Sequence, residues 1–166
     1  MSKQSPPDVR RADVADEPLL GGDRYDYADA FEARVAGPDN RSAEQWVRSG
    51  LEQAPWAIRL GVVVVHRFVI GFRLGPRSSP DHVLGWRIVT SQHDLVQLEA
   101  VSPLGRGVMV ARRPDETTAV LTTFLFRTRP VLASLVWAIV GPVHRRAAPY
   151  LMRRAAVTAG AAHTPR

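Results

Sequence analysis

Residues 130–157 limit the possible folds of this chain more than any other segment. Their apolar side chains recur at the 3.6-residue period of an amphipathic helix, which predicts one long helix with one side covering a sheet. Pro142 and Pro149 lie seven residues apart, away from that stripe, and each removes a backbone hydrogen bond. We therefore expect the helix to bend like a lid; the alternative is two helices broken at Gly141. The stripe contains Leu132, Val136, Ile139, Val143, Ala147, Tyr150 and Leu151.

Four short segments before this helix have the alternating pattern of β-strands. They cover residues 84–88, 96–100, 108–111 and 117–127, and the segments between them are rich in Ser, Pro, Gly and Asp. These residue types favour turns. Strands at this spacing indicate an antiparallel meander.

One strand and two helices are predicted before the meander. Residues 25–35 alternate between apolar and polar side chains. Ser42 precedes Gln45 at the spacing of a capping box, which predicts a short helix to about residue 53. Pro55 suits the first turn of a second helix over residues 55–72. That segment is apolar almost all round, so we expect it to be buried, with a strand as the alternative because residues 62–65 are β-branched.

The chain of 166 residues is long enough for one domain, which we place at residues 23–157. We expect residues 1–22, with their mixed charges and prolines, to form a disordered arm, and residues 158–166 a disordered tail. The arm lacks the apolar region of a secretion signal, and no apolar run is long and uncharged enough to span a bilayer. We therefore expect a cytoplasmic protein. The absence of cysteine excludes disulfides, thiolate metal sites and cysteine nucleophiles.

The net charge of +6 is unevenly placed, because basic residues dominate after residue 40. Such a domain attracts anionic groups. No stretch interleaves aromatic residues with arginine in the manner of single-strand readers, so we predict no nucleic-acid partner. A group of arginines on the last helix indicates weak peripheral contact with an anionic membrane, although a solvated helix face is the alternative. This group is Arg145, Arg146, Arg153 and Arg154.

Three short motifs carry a resemblance to a known family: DYADAF at residues 26–31, GPVHRR at 141–146 and YLMRR at 150–154. Together with the order of strand, two helices, meander and long helix, they resemble a bacterial family of unknown function in the SRPBCC (START-like, helix-grip) superfamily. The resemblance covers residues 25–156. It implies an α+β helix-grip fold, with a curved antiparallel sheet, two short helices after the first strand and a long, kinked C-terminal helix. It also implies a gap that admits an apolar small molecule, and it transfers no catalytic residue.

Two polar residues lie where they could carry chemistry. Asp29 falls on the apolar face of the first strand, where a buried carboxyl group would act as an acid or anchor a ligand; the alternative is that it lies in water. His144 lies at the edge of the last helix's stripe, where it could bind a ligand or transfer a proton; the alternative is a structural histidine bound to a backbone carbonyl. We place the candidate ligand site at Asp29, Tyr27, Trp86, Phe124, His144 and Tyr150.

Three further polar side chains interrupt apolar patterns. They are Arg59, His66 and Arg87, which could pair with an anionic ligand group or mark exposed edges.

The sequence contains no HExxH, no GxSxG and no glycine-rich phosphate loop, and its histidines are not at metal-ligand spacing. We therefore expect no metal and no cofactor, and we favour a protein that is not an enzyme. Our first hypothesis is binding of a small hydrophobic molecule between sheet and terminal helix. The alternatives are a cyclase-like or hydratase-like enzyme that uses Asp29 or His144, and an interaction protein with a filled core.

Overall fold

The computed structural model of the protein describes residues 7–35 and 37–161, which fold into one antiparallel sheet and three α-helices. The fold class is therefore α+β, as predicted. The strands are β1 (Asp8–Ala12), β2 (Tyr27–Arg34), β3 (Ser78–Ser79), β4 (His82–Val83), β5 (Trp86–Ser91), β6 (Leu95–Ser102), β7 (Gly105–Asp115) and β8 (Thr118–Arg127). The helices are α1 (Ala43–Leu51), α2 (Trp56–Val64) and α3 (Pro130–Ala161).

The sheet has the strand order β1-β2-β8-β7-β6-β5-β4-β3. Strands β5 to β8 are neighbours in sequence and in space, which confirms the predicted meander. Strand β2 closes on β8 rather than on β3. Register shifts occur in β5 between Ile88 and Thr90 and in β7 between Arg112 and Asp115. Such bulges bend a sheet.

The long C-terminal helix α3 lies on one face of this sheet and is continuous over 32 residues, with Pro142 and Pro149 inside it. The alternative of two helices broken at Gly141 is therefore wrong. The predicted apolar stripe is correct only in part, because Leu151 is buried whereas most of the other members are exposed. The side chains that α3 buries lie further round the helix: Val140, Ala148, Leu151, Met152, Ala155 and Ala156.

Helix α1 holds the C-terminal half of α3 against the sheet. Ser42 and Gln45 form the predicted capping box, and each side chain bonds the other residue's backbone N–H. Trp46 and Val47 enter the main core. Gly50 allows close approach, because a Cβ at this position would lie 3.0 Å from the carbonyl oxygen of Leu151 in α3.

Helix α2 continues as a π-helical segment, Val65–Val69, and ends close to the predicted point. The expectation that this region is buried is wrong, since neither segment contains a fully buried side chain. The helix lies outside the core. A hydrogen bond from the backbone N–H of Phe72 to the carbonyl oxygen of His66 fixes the end of its π-helical continuation.

The N-terminal segment covers part of the other face of the sheet. We expected residues 1–22 to form a disordered arm; in the structure β1 pairs with β2, and Leu20 is buried in a 3-10 turn, Pro18–Leu20. This turn shields a second apolar cluster on the outer face, which consists of Leu20, Leu95, Val108, Val110 and Phe124. The segment is ordered because it supplies apolar side chains that the outer face needs. Residues 1–6 lie outside the described residues.

The expected C-terminal tail at residues 158–166 is divided. Residues 158–161 still belong to α3, and residues 162–166 lie outside the described residues.

Candidate ligand cavity

A cavity of about 300 Å³ lies between the inner face of the sheet and the three helices. Strands β5, β7 and β8 form its floor, α1 and α3 form two walls, and α2 with its π-helical continuation forms the third. Its volume is at the lower end of the range typical of small-molecule sites. The lining is almost wholly apolar, and the floor consists of Trp86, Met109, Leu121, Thr123 and Leu125.

His144 lies in the cavity wall and contacts a buried carboxyl group behind it. Its Nε2 is 3.3 Å from both side-chain oxygens of Asp29, which is 1% exposed. The hydroxyl of Tyr27 donates to Asp29 Oδ2 at 2.8 Å. An ionised Asp29 only accepts hydrogen bonds, so Nε2 of His144 is the donor of the pair. A carboxylate behind an imidazole fixes the ring and its tautomer, an arrangement that also serves general bases.

Burial is the first cause of a raised pKa for Tyr27, and the neighbouring Asp29 carboxylate adds to the effect. The Tyr27 hydroxyl therefore stays protonated and remains a donor to Asp29. Trp137 packs against both sides of this group, with ring centroids 4.8 Å from Tyr27 and 5.4 Å from His144. Asp29, Tyr27 and His144 therefore form a polar cluster behind the α3 wall of an apolar cavity.

His66 is a second imidazole in the cavity wall. Burial, with a smaller repulsion from His144, lowers the pKa of His66 to about 4, so the ring is neutral at pH 7. The indole N–H of Trp86 donates to His66 Nδ1 at 3.2 Å. The proton of the neutral ring is therefore on Nε2, which is a donor available to a bound molecule.

Two indole N–H groups from residues that line the cavity have no hydrogen-bond partner among the described residues. They are Nε1 of Trp46 in α1 and Nε1 of Trp137 in α3. Trp46 is 2% exposed. Leaving such a donor unpaired in a buried position costs about 1–3 kcal/mol. Both nitrogen atoms are closed off from the open space of the cavity, so Nε2 of His66 is the donor in the wall that a bound molecule can reach.

The structure separates the residues that we predicted for the site. Trp86 and His144 line the cavity, and Asp29 and Tyr27 contact His144 without lining it. Phe124 does not line the cavity, because its side chain points to the outer face of the sheet and packs with Leu20. The remaining residue, Tyr150, is partly exposed on the outward side of α3 and also lies outside the cavity.

Of the three further polar candidates, one lines the cavity and two do not. His66 lines the cavity, whereas Arg59 is exposed on α2 and Arg87 pairs with Glu99 on the sheet. Sequence reasoning missed Trp46, Met109, Thr123 and Trp137. Alternation on β7 and β8 placed Met109 and Thr123 on the face opposite Phe124, but nothing in the sequence showed which face met the helices.

The described residues contain no group of three or more side chains suited to hold a metal ion. Within the same ranges, no helix combines the length and the hydropathy that crossing a bilayer requires.

Comparisons of the chain with protein-family models, with curated proteins and with solved structures found no significant match.

Proposed function

We propose that this protein binds a small, mainly apolar molecule in the cavity between the sheet and α3. The almost wholly apolar cavity carries the proposal, and His66 in its wall supplies a hydrogen-bond donor, the Nε2–H that the bond from Trp86 to Nδ1 leaves free. A ligand with one acceptor oxygen would pair with this donor while its apolar body fills the cavity. The molecule therefore combines an apolar body with a carbonyl, ether or hydroxyl oxygen.

The volume and charge of the cavity limit the size and charge of the proposed ligand. A space of about 300 Å³ suits a compound of one or two rings or a short acyl chain, rather than a complete phospholipid. The nearest buried carboxyl group, Asp29, is already engaged by Tyr27 and His144. We infer that the ligand is uncharged, because the wall offers a neutral donor and no buried cation.

Membership of the SRPBCC superfamily is part of the same proposal. The order of elements supports it: two strands, two helices, six further strands that end in a meander, and a long helix with a cavity beneath it. The absence of a filled core also speaks against the interaction-protein hypothesis. That no nucleic acid binds stays a prediction.

A thermal-shift screen with apolar compounds, with and without an acceptor oxygen, tests the proposal. His66→Phe removes the donor while it keeps an aromatic ring in the cavity wall. We expect oxygen-bearing compounds to raise the melting temperature of the wild type and to lose about tenfold in affinity on His66→Phe, as for the loss of one buried hydrogen bond. Compounds without the oxygen should bind both proteins equally.

Val62→Trp is the matched control for the cavity itself. Val62 lines the cavity from α2, which contributes no fully buried side chain, so a larger residue fills space without disturbing the core. This variant should fold normally and lose all ligand-induced shifts. If Val62→Trp and the wild type respond alike to every compound, the cavity is not the binding site.

An enzyme is the second candidate, and the contact between His144 and buried Asp29 favours it. In a cyclase-like or hydratase-like reaction, His144 would move a proton and Asp29 would orient and stabilise its ring. Asp29→Asn keeps the shape of the side chain and removes its charge. Enzymatic turnover of a bound compound should fall by about a hundredfold or more in Asp29→Asn, with binding retained. If a bound compound is recovered unchanged from the wild type, the enzyme hypothesis fails and the binding proposal stands.

A further inference from the structure

Two stripes of exposed apolar side chains lie on the two helices, α2 and α3, that form walls of the cavity. Each stripe repeats every four residues, a spacing that places its members on one side of a helix. The most exposed members are Val131, at 77%, and Phe68, at 74%. The α2 stripe contains Trp56, Leu60, Val64 and Phe68, and the α3 stripe contains Val131, Leu135, Ile139 and Val143.

The two helices that carry the stripes border the same opening. Ile58 of α2 and Val143 of α3 each line the cavity, and both are exposed. The cavity therefore opens between two apolar edges. Soluble monomers rarely expose contiguous apolar areas of this kind without a binding role.

The inward packing of α3 cannot account for its stripe. Trp137, Val140, His144 and Ala148 face the cavity and the core. At about 100° per residue, Val131, Leu135 and Ile139 lie on the opposite side of the helix, and Val143 lies at the edge of the cavity. Among residues 7–35 and 37–161, no element covers these three exposed side chains. They therefore add nothing to the core of the monomer.

The charge around both stripes has a single sign. Neither residues 53–80 nor the chain after Glu116 contains an acidic residue. Exposed arginines lie beside the stripes instead, and on α3 the stripe continues along the same side through Arg146, Tyr150 and Arg153. Arg59, Arg67, Arg129, Arg146 and Arg153 form no ion pair within the part of the chain that the structure describes.

We propose that the two stripes and these arginines form a docking surface for an anionic lipid bilayer. Helices that lie in a membrane interface combine Trp, Phe and aliphatic side chains on one side with arginines that meet anionic headgroups. Pairing of two copies through this surface would bring arginines together without any acidic partner, which opposes association. Charge therefore selects the bilayer over a second copy.

The cavity mouth then faces the lipid phase, so an apolar molecule dissolved in the bilayer reaches the cavity without crossing water. The docking surface goes beyond the binding function and does not depend on it. Trp56, Phe68, Val131 and Ile139 do not line the cavity, so they can be changed without changing the ligand site.

Vesicle co-sedimentation of the full chain tests the proposal. The probes are vesicles of phosphatidylcholine with or without phosphatidylglycerol, at low and high salt. The variants are Trp56→Ser with Phe68→Ser, and Val131→Ser with Ile139→Ser. The control is Val89→Ser with Val101→Ser, a pair of exposed valines on β5 and β6 that lies outside the docking surface.

We expect the wild type and the valine control to bind phosphatidylglycerol vesicles, with binding that weakens as salt rises. Each stripe variant should lose about tenfold or more in vesicle partition, because its buried apolar area is removed. Ligand-induced thermal shifts should be unchanged in both stripe variants, and Val62→Trp should still bind vesicles.

Three results would overturn the docking proposal. They are no binding of the wild type to either vesicle, equal binding by wild type and stripe variants, or a dimer in light scattering that the stripe substitutions convert to monomer. The cavity proposal would survive all three, and it would fail alone if vesicles bind and no compound does.

Discussion

Helices α1 and α2 have the same length and follow each other in the chain, yet they have opposite relations to the core. Helix α1 carries charged residues and buries Trp46, Val47 and Gly50. Helix α2 is far more apolar and buries nothing completely. The difference shows that a patterned helix packs because one side matches a surface, whereas a uniformly apolar helix has no side that specifies a partner.

The largest expected effect comes from the two tryptophans that the helices carry. Trp46 is buried in the main core, so Trp46→Ala should lower the free energy of unfolding by about 3–5 kcal/mol. Trp56 is 71% exposed, so Trp56→Ala should change it by about 0.5 kcal/mol or less. Urea denaturation measures both, and similar losses would mean that α2 is packed after all.

The pH dependence of stability would test the burial of His66 in the π-helical continuation of α2. The folded pKa of His66 is about 4, below the ordinary value of 6.5. The unfolded chain therefore binds a proton at a higher pH than the folded one, and stability falls as the pH drops from about 6.5 to 4. We expect this residue to contribute a loss of about 2 kcal/mol over that range.

His66→Gln is the control for this prediction, because its amide oxygen can still accept from Trp86 and does not titrate. The variant should show a clearly smaller loss between pH 6.5 and 4 in thermal denaturation. An unchanged pH profile would mean that His66 is protonated in the folded state.

The glycines of the two helices give a third, smaller contrast. A Cβ at Gly50 would meet the α3 backbone, whereas a Cβ at Gly61 in α2 would meet nothing within 4 Å. Gly50→Leu should destabilise by about 1–3 kcal/mol through overpacking. By contrast, Gly61→Leu should be neutral or stabilise by up to about 1 kcal/mol through helix propensity. Chemical denaturation measures the stability of both variants. An equal loss in Gly50→Leu and Gly61→Leu would contradict the difference in packing between α1 and α2.

The smallest effect concerns the helix starts. Ser42 caps α1, and Pro55 before α2 makes no side-chain cap. Ser42→Ala should cost about 1 kcal/mol, and Pro55→Asp should stabilise by about 0.5 kcal/mol because it adds a capping acceptor. Melting temperatures should move in opposite directions; a fall in both would show that Pro55 already fixes α2.

Local patterns predicted the elements well, because caps, turns and alternation are properties of neighbouring residues. The capping box of Ser42 and Gln45 and the meander of β5 to β8 follow from spacing alone. The side of α3 that is buried did not follow, because apolar residues occur on both sides. The predicted stripe consists mainly of large apolar residues, whereas the buried side of α3 contains small residues such as Ala148 and Ala155, so periodicity selected a mostly exposed side.

The candidate site was partly predictable for the same reason. Alternation on the first strand placed Asp29 with Tyr27 and Phe31, and the helix pattern placed His144 near the apolar stripe. Their contact spans 115 residues of sequence and depends on the register of α3 over β2, which no local pattern specifies. Nothing in the sequence showed that Trp86 would bond Nδ1 of His66 and leave Nε2 free, because this pairing spans 20 residues.

Native mass spectrometry of the purified wild type and of Val62→Trp tests the central claim, an apolar molecule held in the cavity, most directly. We predict that the wild type retains one small neutral molecule, which organic extraction releases intact, and that Val62→Trp carries none. A wild type without any bound molecule that also binds no apolar compound on titration, or equal retention by both proteins, would contradict the claim.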